Sequence, residues 1–191
     1  MTDDKNEAAT QFLRGSSFLE KEIFQLYQNL AQKTEYADIR YMLVGLAYDS
    51  LKHSKILAEI NKHFVKLKTI PQLSQIVNEL SIEISKKEKM NTEDLSTFVK
   101  RAADLEDLLS EKYIALLALE NLQYVVDKLS KMTPVDSRAL RSVFSGLVKD
   151  KENHRNLLIE FQYFVIAKKS EKAGDNAPSF KYKNPDKWNT P

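Results

Sequence analysis

The chain contains no cysteine. That excludes disulfides, thiolate metal ligands, iron–sulfur clusters and a cysteine nucleophile, so any metal must sit on oxygen and nitrogen donors. Glycine and proline are scarce, four and five in 191 residues, which leaves little material for the tight turns of a sheet-rich fold. No apolar run approaches the ~18 residues of a membrane span, and the polar start Met1-Thr2-Asp3-Asp4 has no apolar targeting segment. An excess of one charge is missing too. The 29 basic and 27 acidic residues are dispersed and leave a net charge of only +2, which argues against nucleic acid or another polyanion as a partner. These absences predict a soluble cytoplasmic chain with neither nucleic-acid nor membrane partners.

What is present is helix material. Apolar residues make up 42% and charged residues 29%, with Leu, Lys, Glu and Ala frequent, the balance of long amphipathic helices. The fold class expected is all-α. A first helix is predicted from about Phe12, or at latest Ser17, to Lys33, and a second from about Tyr36 to His63, separated by a turn at Thr34 to Asp38. Thr69-Ile70-Pro71-Gln72 resembles a capped start with proline in the first turn, opening a shorter helix to about Lys87. Asn91-Thr92-Glu93-Asp94 opens a third long helix to about Leu129, and Thr133-Pro134-Val135-Asp136 a fourth to about Lys169. Two long hairpins joined by a segment of residues 64–90 that holds its own short helix match an antiparallel four-helix bundle with one long crossover. Residues 1–169 are thus expected to form one domain, and 170–191, with Phe180, Tyr182 and Trp188, an extended or mobile tail.

One pattern occurs twice, 101 residues apart: Gly45-Leu46-x-x-Asp49-x-x-x-His53 and Gly146-Leu147-x-x-Asp150-x-x-x-His154. Residues four apart share a helix face, so each Asp and His stand side by side, and both pairs fall on apolar stripes. Burying such groups is costly unless they meet one another or a metal. The other arm of each hairpin offers partners. Glu20 is followed seven residues later by Tyr27, and Glu106 seven later by Tyr113, two helical turns that keep each Glu and Tyr on one face. Glu20 and Asp49 are equidistant from the first turn, near Thr34, and Glu106 and His154 from the second, so the set should converge at one level. Bland readings exist for each. An Asp four before a His is commonly a surface ion pair, Ser17 to Glu20 fits a capping box, the tyrosines suit a core with hydroxyls bonded to nearby carboxylates, and His63 reads as a helix-terminal surface residue.

Together these residues resemble the ferritin-like superfamily, and the rubrerythrin-type proteins in particular, over about Leu13 to Ala167. The resemblance implies two pseudo-symmetric hairpins, each giving a Glu and a Glu-x-x-His to a di-iron or di-manganese centre. Glu20 and Glu106 match the single Glu positions, and His53 and His154 the histidines. Three residues before each His, where the family has a bridging Glu, this chain has Ser50 and Lys151. Two alternatives stay open. In one, Glu20, Asp49, His53, Glu106, Asp150 and His154 hold iron or manganese, with Tyr27 and Tyr113 orienting ligands and Ser50 and Lys151 beside them. The expected activity is then that of a non-haem iron oxidase or peroxidase in iron handling or oxidative defence. Such a chain would be a homo-oligomer, a dimer first, served by a separate electron-donor protein; haem and nucleotide are not implied. In the other, Lys151 balances a buried salt-bridge network and the bundle is a metal-free scaffold or interaction protein.

Overall fold

The computed structural model describes residues 2–64, 70–131 and 134–172. They form six α-helices and one 3-10 turn, with no strand among the described residues. Helix α1, Thr2–Lys33, buries Leu13, Ile23, Leu26, Tyr27 and Leu30 along one stripe and closes where the Thr34 amide bonds back to the Leu30 carbonyl at 3.1 Å. Arg40 Nη2 satisfies the Thr34 carbonyl at 2.9 Å, fixing the short connection into α2, Ala37–Ile60, which ends in the 3-10 turn Asn61–His63. Bonds between the two helices run in opposite directions along the chain. Ser54 Oγ donates to the Ser17 carbonyl at 2.7 Å, and Asn61 Nδ2, in the 3-10 turn just beyond α2, donates to the earlier Leu13 carbonyl at 2.6 Å.

Helix α3, Pro71–Ser85, has its proline in the first turn, where a missing amide costs nothing. It buries Leu73, Val77, Leu80 and Ile84 and packs on α1. The end of α1 is stitched to the chain that follows α3: Lys33 Nζ donates to the Ile84 carbonyl at 2.9 Å, and the Met90 amide to the Lys33 carbonyl at 3.0 Å. Helix α4, Thr92–Leu117, starts as its sequence predicts, with the Asn91 side chain accepting from the Asp94 amide at 2.8 Å.

The third long helix does not run unbroken to Leu129. At Ala118 the backbone turns extended, with ψ at 135°, and α5, Leu119–Ser130, starts afresh. The break frees carbonyls, and side chains take them up: Asn121 Nδ2 reaches the Ala115 carbonyl at 2.7 Å and Arg141 Nη1 the Leu117 carbonyl at 3.4 Å. The new direction of α5 puts Leu122, Val125, Val126 and Leu129 in the core. Other limits move as well. Helix α1 begins near the start of the chain rather than at Phe12. Helix α6, Ser137–Lys172, starts directly after the expected signal that ends in Asp136, whose carboxylate accepts from the Arg138 amide at 2.8 Å. It runs past Lys169 into the expected tail. The rest of that tail, with Phe180, Tyr182 and Trp188, lies outside the described residues, as do the side chain of His63 and the Thr69 cap.

The dominant packing is α1 on α2 and α4 on α6, with lighter contacts joining α1 to α4 and α2 to α6. The core is contiguous across these helices, from Leu13, Leu19 and Ile23 through Leu43 and Leu46 to Leu105, Leu109, Phe144 and Leu158. Among the described residues no helix is long and apolar enough to cross a membrane.

Candidate functional site

Within that apolar core sits a knot of charge. Glu20 on α1, Glu106 on α4 and Lys151 on α6 have fully buried side chains. Lys151 Nζ lies 2.9 Å from Glu20 Oε2, a hydrogen bond, and 3.1 Å from Glu106 Oε2, an ion pair off the line of a hydrogen bond. Helix α1 runs straight through Ser17, so Glu20 closes no capping box; it points inward. Each tyrosine reaches across to the opposite hairpin's glutamate. Tyr27 Oη donates to Glu106 Oε1 at 2.6 Å and Tyr113 Oη to Glu20 Oε1 at 2.9 Å, with both rings fully buried.

A second layer lies outside the first. His53 is sandwiched between Glu20 and Asp150, its Nδ1 3.8 Å from Glu20 Oε2 and its Nε2 2.9 Å from Asp150 Oδ2. His154 mirrors it, Nδ1 3.7 Å from Glu106 Oε2 and Nε2 3.3 Å from Asp49 Oδ2. The rings stack with centroids 6.0 Å apart. The repeated Asp and His therefore pair between the hairpins rather than within each helix. Lys52, which the sequence reading left out although it stands three residues after Asp49, bridges Asp49 and Asp150 at 3.0 Å each. Beside it a solvent-open groove of about 440 Å³ runs between α2 and α6, lined by Lys52, His53, Ile56, Val143, Gly146 and Asp150.

Charge sets the protonation of the centre. Burial alone would raise the Glu106 pKa, but the Lys151 ammonium, with His154 and Tyr27, outweighs burial and holds it at about 2. Glu20 is likewise lowered, burial being overcome by Lys151 and His53. Lys151 is the converse: burial would lower its pKa, and the two glutamates raise it above the usual lysine value. Burial, and then the glutamate charges, push both tyrosines well above theirs, so each hydroxyl keeps its proton and donates it. Asp49 and Asp150 are lowered in spite of partial burial, by Lys52 and by the histidine each meets.

The geometry bears on the metal that the resemblance implies. In favour of a metal, His53 Nδ1 and His154 Nδ1 are buried without a hydrogen-bond partner and each faces a glutamate oxygen. Against it, the Lys151 ammonium already stands between Glu20 and Glu106, where it would repel a divalent cation. Ser50, also fully buried, brings no anion, and its Oγ has no partner. Among the described residues no group of three or more His, Asp or Glu side chains is disposed to hold a metal ion. With Lys151 in this place the residues do not fit a two-metal centre.

Neither a curated protein nor a solved structure matches the chain. A family model does match, over residues 11–132, which takes in Glu20, Asp49, Ser50, His53 and Glu106 and stops short of α6. It is that of Rubrerythrin, an iron-binding ferritin-like family, and it spans well over half of the sequence: the chain belongs to the rubrerythrin family.

Proposed function

We propose that this chain is a metal-independent member of its family, a ferritin-like antiparallel four-helix bundle in which a lysine replaces the metals, serving as a scaffold or interaction protein. The single observation that carries the proposal is Lys151 Nζ, fully buried and within 3.1 Å of both Glu20 and Glu106. In a two-metal centre such glutamates owe their burial to the positive charge of the ions. Here a covalently attached ammonium supplies it, and the tyrosines and histidines complete the network. At the two positions where the resemblance would place bridging carboxylates this chain carries mutually compatible residues: Ser50 is neutral, and Lys151 brings a cation.

A specific observation favours a second reading, in which the chain binds iron or manganese as an oxidoreductase. It is the pair of unpartnered imidazole nitrogens facing Glu20 and Glu106. Metal content separates the two. We expect protein purified without chelator, and again after aerobic loading with ferrous iron, to carry far less than one metal per chain, with no difference in a His53→Ala, His154→Ala double variant. Stoichiometric iron or manganese that disappears in the double variant would establish the second reading instead.

A further inference from the structure

The groove between α2 and α6 has apolar walls in Ile56, Val143 and Leu147, and on the α6 side it opens at Gly146, where an added Cβ would meet no atom within 4 Å. A glycine inside a helix is destabilising relative to alanine, and no described residue uses the space that this one leaves. The groove also continues along the helix. Val143, Gly146, Asp150, Leu157 and Phe164 follow steps of three, four and seven, so they share one side of α6 on the way to its end. Leu157 is 38% exposed on that side, and Phe164 is partly buried.

The sequence after Lys172 has a matching pattern. Pro178 and Pro185 argue against a helix there. In an extended chain alternate side chains share a side, so Phe180, Tyr182 and Trp188 face one way and Lys181, Lys183 and Lys187 the other. Gly174-Asp175-Asn176 are turn formers that can reverse the chain just beyond α6. From such a turn an extended chain runs back at ~3.3 Å per residue, while the helix beneath it rises ~1.5 Å per residue. Phe180 is then about 13 Å from the turn, level with Phe164 at about 12 Å from the helix end. Tyr182, at about 20 Å, comes level with Leu157 at about 22 Å, and Trp188, at about 40 Å, with Gly146 at about 39 Å.

We infer that the segment after Lys172 folds back along its own α6 and sets the Trp188 indole in the groove over Gly146, covering the open side of the His53–Asp150 pair. The groove volume of about 440 Å³ accommodates an indole ring. The three aromatic side chains lie on the apolar stripe, and the lysines on the other side of the segment stay in water. A short tether holds the segment at an effective concentration on the order of millimolar at its own groove, which favours it over the same segment of another molecule. The inference does not depend on whether metal is bound.

Trp188 is the one tryptophan of the chain, so its fluorescence reads the segment directly. Native emission should be blue-shifted from emission in urea, and acrylamide should quench it several-fold less readily. Gly146→Gln fills the space beneath the indole and should bring emission and quenching to their values in urea. Its helical signal should persist, since glutamine is the better helix former. Gly45→Gln, at the matching place of the repeat and outside the groove, should leave Trp188 protected. Dilution from micromolar to nanomolar concentration should change nothing, as an intramolecular contact requires. The inference fails if native Trp188 is quenched as readily as in urea, if Gly146→Gln leaves it protected, or if Gly45→Gln exposes it equally. It fails too if dilution removes the protection, which would assign the segment to the groove of another copy.

Discussion

Lys151 Nζ and Glu20 Oε2 stand 2.9 Å apart with neither side chain exposed, so no solvent screens their attraction. The pair is worth most when one member is removed. Lys151→Met should leave Glu20 and Glu106 facing each other in the core without a cation, at a cost of about 3–5 kcal/mol of folding stability. Adding Glu20→Gln and Glu106→Gln removes both stranded charges and should restore much of that loss. Urea denaturation of the single and triple variants measures both steps. A Lys151→Met protein as stable as the parent would mean that the ammonium is not held in the core.

Much of this centre was legible in the sequence, because one element of it depends only on register. Glu106 and His154 are equidistant from the second turn and do face each other, and seven-residue spacing, two helical turns, does keep Tyr27 and Tyr113 on the same buried faces as Glu20 and Glu106. What depends on how the hairpins sit against each other was not legible. Register within a hairpin cannot reveal that Asp49 meets His154, that Asp150 meets His53, or that each tyrosine serves the opposite glutamate. Nor could it reveal the direction of Lys151, whose long stem can carry its charge inward or out to water. The kink at Ala118 had no local signal, neither glycine nor proline; it is held by Asn121 and by Arg141 from another helix.

The tyrosine hydrogen bonds should be separately measurable. Tyr27→Phe and Tyr113→Phe each delete one buried hydroxyl that donates to an ionised carboxylate, and each should cost about 1.5–3 kcal/mol. The double variant should lose roughly the sum plus a coupling contribution, since both carboxylates answer to the same ammonium. Chemical denaturation of the two single variants and the double variant tests this. A loss of only a few tenths of a kcal/mol in either single variant would show that its hydroxyl is not bonded as described.

Acid should unfold the protein through the centre. The folded pKa values of Glu20 and Glu106 lie below the ordinary value of 4.5, Glu106 at about 2, so their stabilisation is fully present above the unfolded value. It is lost as the pH falls from about 4.5 towards 2. Lys151 has the opposite sign: its folded pKa is raised above 10.5, so its contribution is full below that value and is lost as the pH rises through the folded pKa. Unfolding free energies measured between pH 6 and 2 should therefore fall steeply below about pH 4.5, and Glu106→Gln should flatten that slope. An equally steep slope in Glu106→Gln would place the acid sensitivity elsewhere.

The family's metal chemistry should be recoverable by reversing the two departures. Lys151→Glu removes the ammonium between Glu20 and Glu106 and puts a carboxylate one turn before His154; Ser50→Glu does the same before His53. The double variant would then have four glutamates and two imidazoles in the core, a donor set suited to iron or manganese. Without metal those carboxylates repel one another, so the variant should be less stable than the parent. With metal it should gain about 2.7 kcal/mol at a hundredfold excess over the dissociation constant. Thermal melts with and without manganese, alongside metal analysis after desalting, read both effects, and the unmodified chain should show neither. If the double variant folds but gains no metal and no thermal shift, Lys151 and Ser50 are not what separates this chain from a metal-binding centre.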